Sequence, residues 1–277
     1  MNNIGNYKVI SFPASRIATF DIGAVSKMKH QIKALIEINV TKAHQLITEM
    51  KKKQPKISFH SWLIKCISQI VEEYPELHGI RKGNRSLVLF DDVDISIMIE
   101  RVIQGKKVPL PYVIRQANRK SMVEISDEVR NSQLQNVDHE GDYVLGKTKS
   151  RYWMRLYYWL PGFLRRMIWR NIIQNAFITK QNMGTVMITS VGMVGKITGW
   201  VIPETVHPLS FAIGSIIKKP GIYENRIEVR EYLHMTASAD HDVIDGAPAI
   251  RALSKLVRIL ESGKGLWMKS ESKEPSR

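Results

Sequence analysis

The stretch RIEVREYLHMTASADHDVIDGAPAIRALSKLVRILESG constrains this chain more than any other part of it. Its first fifteen residues tend to alternate, with Ile227, Val229, Leu233, Met235 and Ala237 on one face and Glu231 breaking the run, which predicts a long half-buried strand. After a short turn, Ile250, Leu253, Leu256, Val257 and Leu260 recur at helical spacing and stop before Gly263, a residue suited to ending a helix. A strand that feeds a helix this directly points to α/β packing, and it holds the side chains of the turn on a rigid base. The turn reads H-x-x-x-D-G: His241, Asp245 and Gly246.

The rest of the chain supplies more of the same alternation. ALIEINVT, from Ala34 to Thr41, predicts a strand, and Thr41 is placed to cap the amphipathic helix KAHQLITEMKKK. ISFHSWLIKCISQIVEEYPEL predicts a helix with Phe59, Leu63, Ile67, Ile70 and Val71 near one face, stopping before Pro75. SLVLF, VDISIMIERVI and VPLPYVIR predict strands. No internal repeat or linker divides them, so the expected fold is α/β with a mixed sheet, as one domain over residues 1–265 with a disordered polar tail at 266–277. An aromatic and basic segment near 151–180, RYWMRLYYWLPGFLRRMIWRNIIQNAFITK, is broken into two pieces by Pro161 and Gly162.

Charge and cysteine content narrow the function. The chain has 41 Lys and Arg against 26 Asp and Glu, a formal charge of +15, so an anionic partner is expected: nucleic acid, a membrane surface or a phosphate-rich cofactor. Nucleic acid is not the expected one, because no base-reading module is present. The single cysteine, Cys66, cannot form an internal disulfide and lies in a helical pattern that implies an inert buried thiol. No apolar run reaches the length of a membrane span and the start lacks the order of a signal peptide, so a cytoplasmic protein is expected, with membrane association left open. Phosphate-loop, nucleophile-elbow and dinucleotide fingerprints are absent. His241-Asp242 as a metal-binding pair would need an all-helical setting, which the strand pattern opposes; no metal is expected.

The H-x-x-x-D-G string by itself would occur by accident in a few per cent of chains this long. A histidine satisfied by the turn and an aspartate capping the last helix explain it equally well. Its setting adds more. DHDVIDGAPAIRALSKLVRILE, GTVMITSVGMVG and VIPETVHPLSFAIGSI, together with an opening that runs from SRIATF to YPELHG, resemble in order the chloramphenicol acetyltransferase-like family. Within it, the chain is most similar to the catalytic domain of the dihydrolipoamide acyltransferases of 2-oxo acid dehydrogenase complexes.

The resemblance implies a two-layer fold, a mixed sheet with helices on one side, and acyl transfer between coenzyme A and a thiol or hydroxyl acceptor. It implies His241 as general base, a hydroxyl from Thr189 (or its neighbour Ser190) on the oxyanion, and Asp245 ordering the histidine loop through an ion pair with Arg16. Gly246 completes the motif. It also implies a homotrimer or larger assembly with the active site between subunits, acyl-coenzyme A as substrate and no metal. Three features depart from that pattern: Asp242 stands where an arginine commonly follows the histidine, the 151–180 segment is longer and more aromatic, and no lipoyl domain or lipoyl attachment is read in this chain. A lipoyl domain supplied in trans, a small alcohol or amine, or a lipid-like acceptor therefore all remain open. The rival expectation is a catalytically silent trimeric scaffold or a membrane-surface protein.

Overall fold

The structure is a computed structural model that describes residues 5–12, 14–103, 106–134, 156–192, 195 and 198–266. Its helices are α1 (Ala14–Ser26), α2 (Thr41–Lys53), α3 (Phe59–Glu73), α4 (Met122–Leu134), α5 (Gly162–Gln174), α6 (Ala176–Met183) and α7 (Gly246–Ser262). The strands are β1 (Gln31–Asn39), β2 (Ile80–Lys82), β3 (Ser86–Val88), β4 (Ile95–Ile103), β5 (Lys106–Ile114), β6 (Val186–Ser190), β7 (Leu209–Tyr223) and β8 (Arg226–Asp240).

Six strands form one mixed sheet in the order β1-β8-β7-β6-β4-β5, in which β4, β6 and β7 run parallel and the other pairings are antiparallel. The pleat divides its faces. Ile38, Ile95, Ile97, Val186, Ile188, Phe211 and Met235 point to one side, where buried residues of α2, α3, α4 and α7 join them in one apolar cluster. On the other side β8 turns Ser238, Thr236 and His234 inward, and the 198–208 segment crosses over them. Trp200 stacks on His234 with ring centroids 4.3 Å apart and donates its indole N–H to Ile36 O at 2.9 Å. The expected α/β mixed sheet with its helices on one side is the architecture observed.

Three expectations need correction. Thr41 is the first residue of α2 rather than its cap, and Val40 takes the cap position. The Thr41 hydroxyl is drawn instead to Asn39 Oδ1 at 2.7 Å and accepts the Glu231 N–H at 2.8 Å, tying α2 to β8. β8 is not half-buried along its length: Ile227 is 80% exposed and Val229 also lies open, whereas the stretch from Leu233 to Asp240 is buried on both faces. The β7–β8 hairpin outruns the sheet, so its first half has nothing to pack on. Ile250 of α7 is likewise exposed, and Ala252, Leu256 and Leu260 carry the buried stripe.

Residues 151–155 of the aromatic segment lie outside the described residues; the rest has a helical turn over 156–159 and breaks at Pro161 as expected, and a second break at Asn175 separates α5 from α6. Its inner side is anchored to α1. Tyr157 donates to Asp21 at 2.8 Å, Arg165 Nε donates to the same carboxylate oxygen at 2.7 Å, and Trp169 donates to the Tyr157 hydroxyl at 2.9 Å. Trp159, Phe163 and Met167 face solvent instead, beside Arg166 and Arg170. Burial pushes the Cys66 thiol up to about 12, which leaves it protonated and unreactive. Leu266, assigned to the tail from sequence, is buried; the remainder of that tail, 267–277, lies outside the described residues.

Candidate active site

β8 delivers the H-x-x-x-D-G turn at the edge of the sheet next to β1. The ladder pairs Gln31 with Asp240 and continues one rung further, because the His241 N–H donates to His30 O at 2.7 Å. The backbone of His241 is thus held by the sheet, while its side chain is 47% exposed. The turn closes through Val243 and Ile244 N–H groups on Asp240 O at 3.0 and 3.2 Å, and the Ile244 side chain drops into the core.

Three carboxylates surround His241, and they have different partners. Asp240 is almost fully buried and meets Lys29 Nζ at 2.5 Å; the side chains are 4% and 17% exposed. Asp242 is held from two sides, by His30 Nδ1 at 2.9 Å and by Arg81 at 2.7 Å. The hydrogen bond from His30 holds the Asp242 carboxyl below the usual carboxylate range, with help from the Arg81 charge, and the same bond raises His30. Asp245 occupies the N-cap position of α7, but its side chain makes no capping hydrogen bond and is 87% exposed. Among the described residues its one ion-pair geometry within 4.0 Å is to the His241 imidazole, at 3.9 Å.

The expected Asp245–Arg16 ion pair is therefore not made within this chain. Arg16 is exposed on α1, whose Asp21 is committed to Tyr157 and Arg165. The ion pairs next to the motif histidine are instead Lys29–Asp240 and those of Arg81 and His30 with Asp242. These five residues were not singled out from sequence as a constellation. Asp240 and Asp242 flank the motif histidine, which is a visible signal, but Lys29 and His30 lie about two hundred positions away and only the β1–β8 pairing brings them in. Gly246 has open space where a Cβ would stand and begins α7, so nothing in the chain's own packing demands glycine there.

Thr189 lies elsewhere. Val186 and Ile188 of β6 enter the helix-side core, so the pleat puts Thr189 on the opposite face and returns Ser190 to the helix side. Thr189 shares a cross-strand row with Ala212, Thr236 and Leu35. On this face the hydroxyls of Thr236, Ser238 and Ser210 are buried and have no hydrogen-bond partner among the described residues. The turn after β6 depends on Gly192, where a Cβ would stand 2.3 Å from Gly214 O. His241 is five rungs beyond the Thr236 row and two strands across, on the opposite parity, which places it roughly 15–20 Å from Thr189. One chain does not bring the two together.

Among the described residues no three His, Cys, Asp or Glu side chains are grouped to hold a metal ion, and no helix is long and apolar enough to cross a membrane. His207 and His78 are each held down to about 4 by burial; His207 lies near Thr205 and the Met183 carbonyl, and His78 near Thr185 and the Phe90 carbonyl.

A protein-family model described as 2-oxoacid dehydrogenases acyltransferase (catalytic domain) matches residues 23–140 and 175–268, which is most of the chain. The chain belongs to this family. Membership agrees with the resemblance carried by the HDVIDG and MITSVG blocks, and it leaves the aromatic helix of residues 162–174 outside the matched region.

Among curated acyltransferases, the chain is 22% identical to the dihydrolipoyllysine-residue acetyltransferase component of the Rickettsia bellii pyruvate dehydrogenase complex, over 82% of this chain and 46% of the relative. It is 24% identical to the Mycoplasma genitalium counterpart, over 76% and 45%. The chain thus spans about half the length of the curated relatives it matches. Two solved structures share its fold with a TM-score of 0.67. One is a probable dihydrolipoamide acetyltransferase from Listeria monocytogenes, 20% identical, covering 97% of this chain and 98% of that one. The other is the dihydrolipoamide acetyltransferase of Azotobacter vinelandii, 15% identical, covering 96% of each, which was solved to examine a serine, a histidine and an asparagine in its catalytic mechanism.

Proposed function

We propose that this acyltransferase-family chain moves an acyl group between coenzyme A and a thiol or hydroxyl acceptor, with His241 as general base and Thr189 as oxyanion donor. The observation that carries the reading is the placement of His241: a half-exposed imidazole on a backbone locked by the sheet and by two sets of ion pairs. A general base needs both an accessible ring and a fixed position. Spacing adds support, because the serine, histidine and asparagine of the Azotobacter enzyme stand at the same sequence intervals as Thr189, His241 and Asp245.

In the forward direction His241 removes the proton from the acceptor S–H or O–H, and the resulting nucleophile attacks the thioester carbonyl. The carbonyl oxygen becomes an oxyanion and accepts a hydrogen bond from the Thr189 hydroxyl. Collapse breaks the carbon–sulfur bond, and the departing coenzyme A thiolate takes the proton back from the imidazolium. With coenzyme A as nucleophile the same steps run in reverse; its thiol, with a free pKa of about 8.5, is mostly protonated at neutral pH and needs the base. Dihydrolipoyl thiols presented by another chain or domain fit the acceptor role, in line with the names of the curated relatives.

Since one chain separates Thr189 from His241, the reading requires the threonine of one copy to meet the histidine of another, in a homotrimer or larger assembly. The exposed Ile222, Ile227 and Val229 at the projecting β7–β8 hairpin suit a subunit contact. A related solved structure, 15% identical, is the cubic core of a pyruvate dehydrogenase complex. Thr189→Val, which keeps the shape of the side chain and removes the donor, is expected to lower turnover about a hundredfold with an unchanged melting temperature. Acyl-thioester turnover with free-thiol detection checks this, and a wild-type rate in the variant would remove Thr189 from the mechanism.

A second reading, compatible with the first, is favoured by α5. Trp159 is 83% exposed and lies with Phe163 and Met167 on the outer side of the segment, flanked by Arg166 and Arg170 on a chain of charge +15. Apolar and aromatic side chains interleaved with arginine suit the headgroup layer of an anionic membrane. The protein is expected to sediment with vesicles containing phosphatidylglycerol and much less with phosphatidylcholine alone. Phe163→Ser with Met167→Ser should abolish the sedimentation; equal binding by this variant would rule the stripe out as the contact.

A further inference from the structure

A half-open apolar cavity of about 120 Å³ lies between the sheet and α7, beside the motif turn. We propose that it receives the hydrocarbon part of an aliphatic acyl group of about four to six carbons. This inference deepens the acyl-transfer reading and rests on it.

The cavity exists because small residues stand where large ones would close it. Five alanines line it: Ala34, Ala237 and Ala239 from the sheet, and Ala249 and Ala252 from the first turns of α7. Ala34 and Ala237 face each other directly across β1 and β8, and Ala239 pairs with Ile32. Elsewhere on this side of the sheet the corresponding positions hold Ile38, Leu233, Met235 and Ile213, which fill the space under the helices. Alanine is a poor strand former, so three of them in this patch of sheet favour neither the strand nor the packing; what they produce is room. The lining residues with polar side chains are Lys33 and Ser238, and the strand alternation aims both away from the helix side.

Position links the space to the chemistry. Ile250 lines the cavity and is exposed, so the opening reaches the surface at the start of α7, next to the turn. The β8 ladder continues to His241, which has the same parity as Ala237 and Ala239, and two residues along a strand cover roughly 7 Å. A thioester carbonyl held at His241 therefore has the cavity within reach of its alkyl chain, past Ala239. An apolar cavity of about 150 Å³ is known to stay dry and accept a six-carbon ring, so about 120 Å³ suits a slightly smaller group. Acetyl would leave most of the space unused, and a long chain would meet Leu256, Ile70 and Phe211 as a floor.

Equilibrium binding of acetyl-, isovaleryl-, hexanoyl- and palmitoyl-coenzyme A, measured by calorimetry without acceptor, tests the cavity apart from the reaction. Each buried methylene is worth up to roughly fourfold in affinity, so isovaleryl-coenzyme A is expected to bind about tenfold or more tightly than acetyl-coenzyme A. Palmitoyl-coenzyme A should show no gain over hexanoyl. Ala249→Leu, which puts a good helix former into the void, should collapse the isovaleryl preference to less than about twofold, and Ala34→Leu should do the same from the sheet side if the first variant misfolds. Melting temperatures verify folding. Equal affinity across the series, or a preference untouched in a folded filled variant, overturns the proposal. Turnover assays separate the two claims: acetyl transfer by the native protein with no chain preference sinks the cavity alone, whereas binding without transfer to any acceptor sinks the acyltransferase reading and leaves a binding pocket.

Discussion

His241→Ala is expected to reduce acyl transfer by roughly a hundred- to ten-thousandfold, the span over which a positioned general base contributes. The protein should remain folded, because the ring is half exposed and its acidic neighbour Asp245 is 3.9 Å away and itself open to solvent. The backbone bond that fixes the loop belongs to the His241 N–H, which alanine retains. Steady-state rates with an acyl-coenzyme A donor and a dihydrolipoyl or small-thiol acceptor, beside a thermal melt, measure both halves of the statement. Wild-type turnover in the variant would remove His241 as the base, and no transfer by the native protein would leave the chain as a silent scaffold that uses the fold for assembly. Asp245→Asn should be far milder, since the geometry gives that carboxylate no buried charge to balance.

Lys29→Ala should cost about 3–5 kcal/mol of stability, a large share of what holds a domain together. The reason is asymmetry. The pair is nearly buried, and truncating the lysine strands a carboxylate that is 4% exposed, with only the Asp242 N–H among the described residues left to satisfy it at 3.2 Å. Lys29→Met combined with Asp240→Asn removes both charges and should recover a large part of the loss, so the two changes will not add. Urea unfolding of the single and double variants supplies the cycle. A single-variant cost below about 1 kcal/mol would mean that water screens this pair and that the turn is ordered by Asp242 alone. Turnover should fall with stability, because Asp240 O also accepts the N–H groups that close the turn around His241.

The strand-turn-helix was legible because its signal is local. Period-two alternation, a short turn and a 3.6-residue stripe ending at Gly263 each depend on neighbours within a few positions, and the structure has β8, the turn and α7 in that order. Errors came where local pattern meets distant context. Ile227 and Val229 alternate as well as Leu233 and Met235 do, yet no other element reaches the end of the hairpin to bury them. Thr41 has a cap-forming side chain, but Asn39 and the Glu231 N–H compete for its hydroxyl.

At the site the division is sharper. His241 was identifiable from its motif and its blocks of resemblance, whereas Lys29, His30 and Arg81 carry no motif; they matter because antiparallel pairing sets the end of β1 against the end of β8. Thr189 and Ser190, adjacent in sequence, are parted by the pleat, since successive strand residues leave on opposite faces.

By itself the amino-acid order determined the class of fold, the family and the imidazole proposed as the base, because each is written in short-range periodicity or in contiguous blocks. Tertiary structure alone decided which carboxylates are charged partners and which are bystanders, that Thr189 and His241 lie apart in one chain, and that alanines from two strands and a helix leave an apolar space beside the motif. Those are properties of pairing and packing between segments up to two hundred residues apart, and no window along the chain contains them.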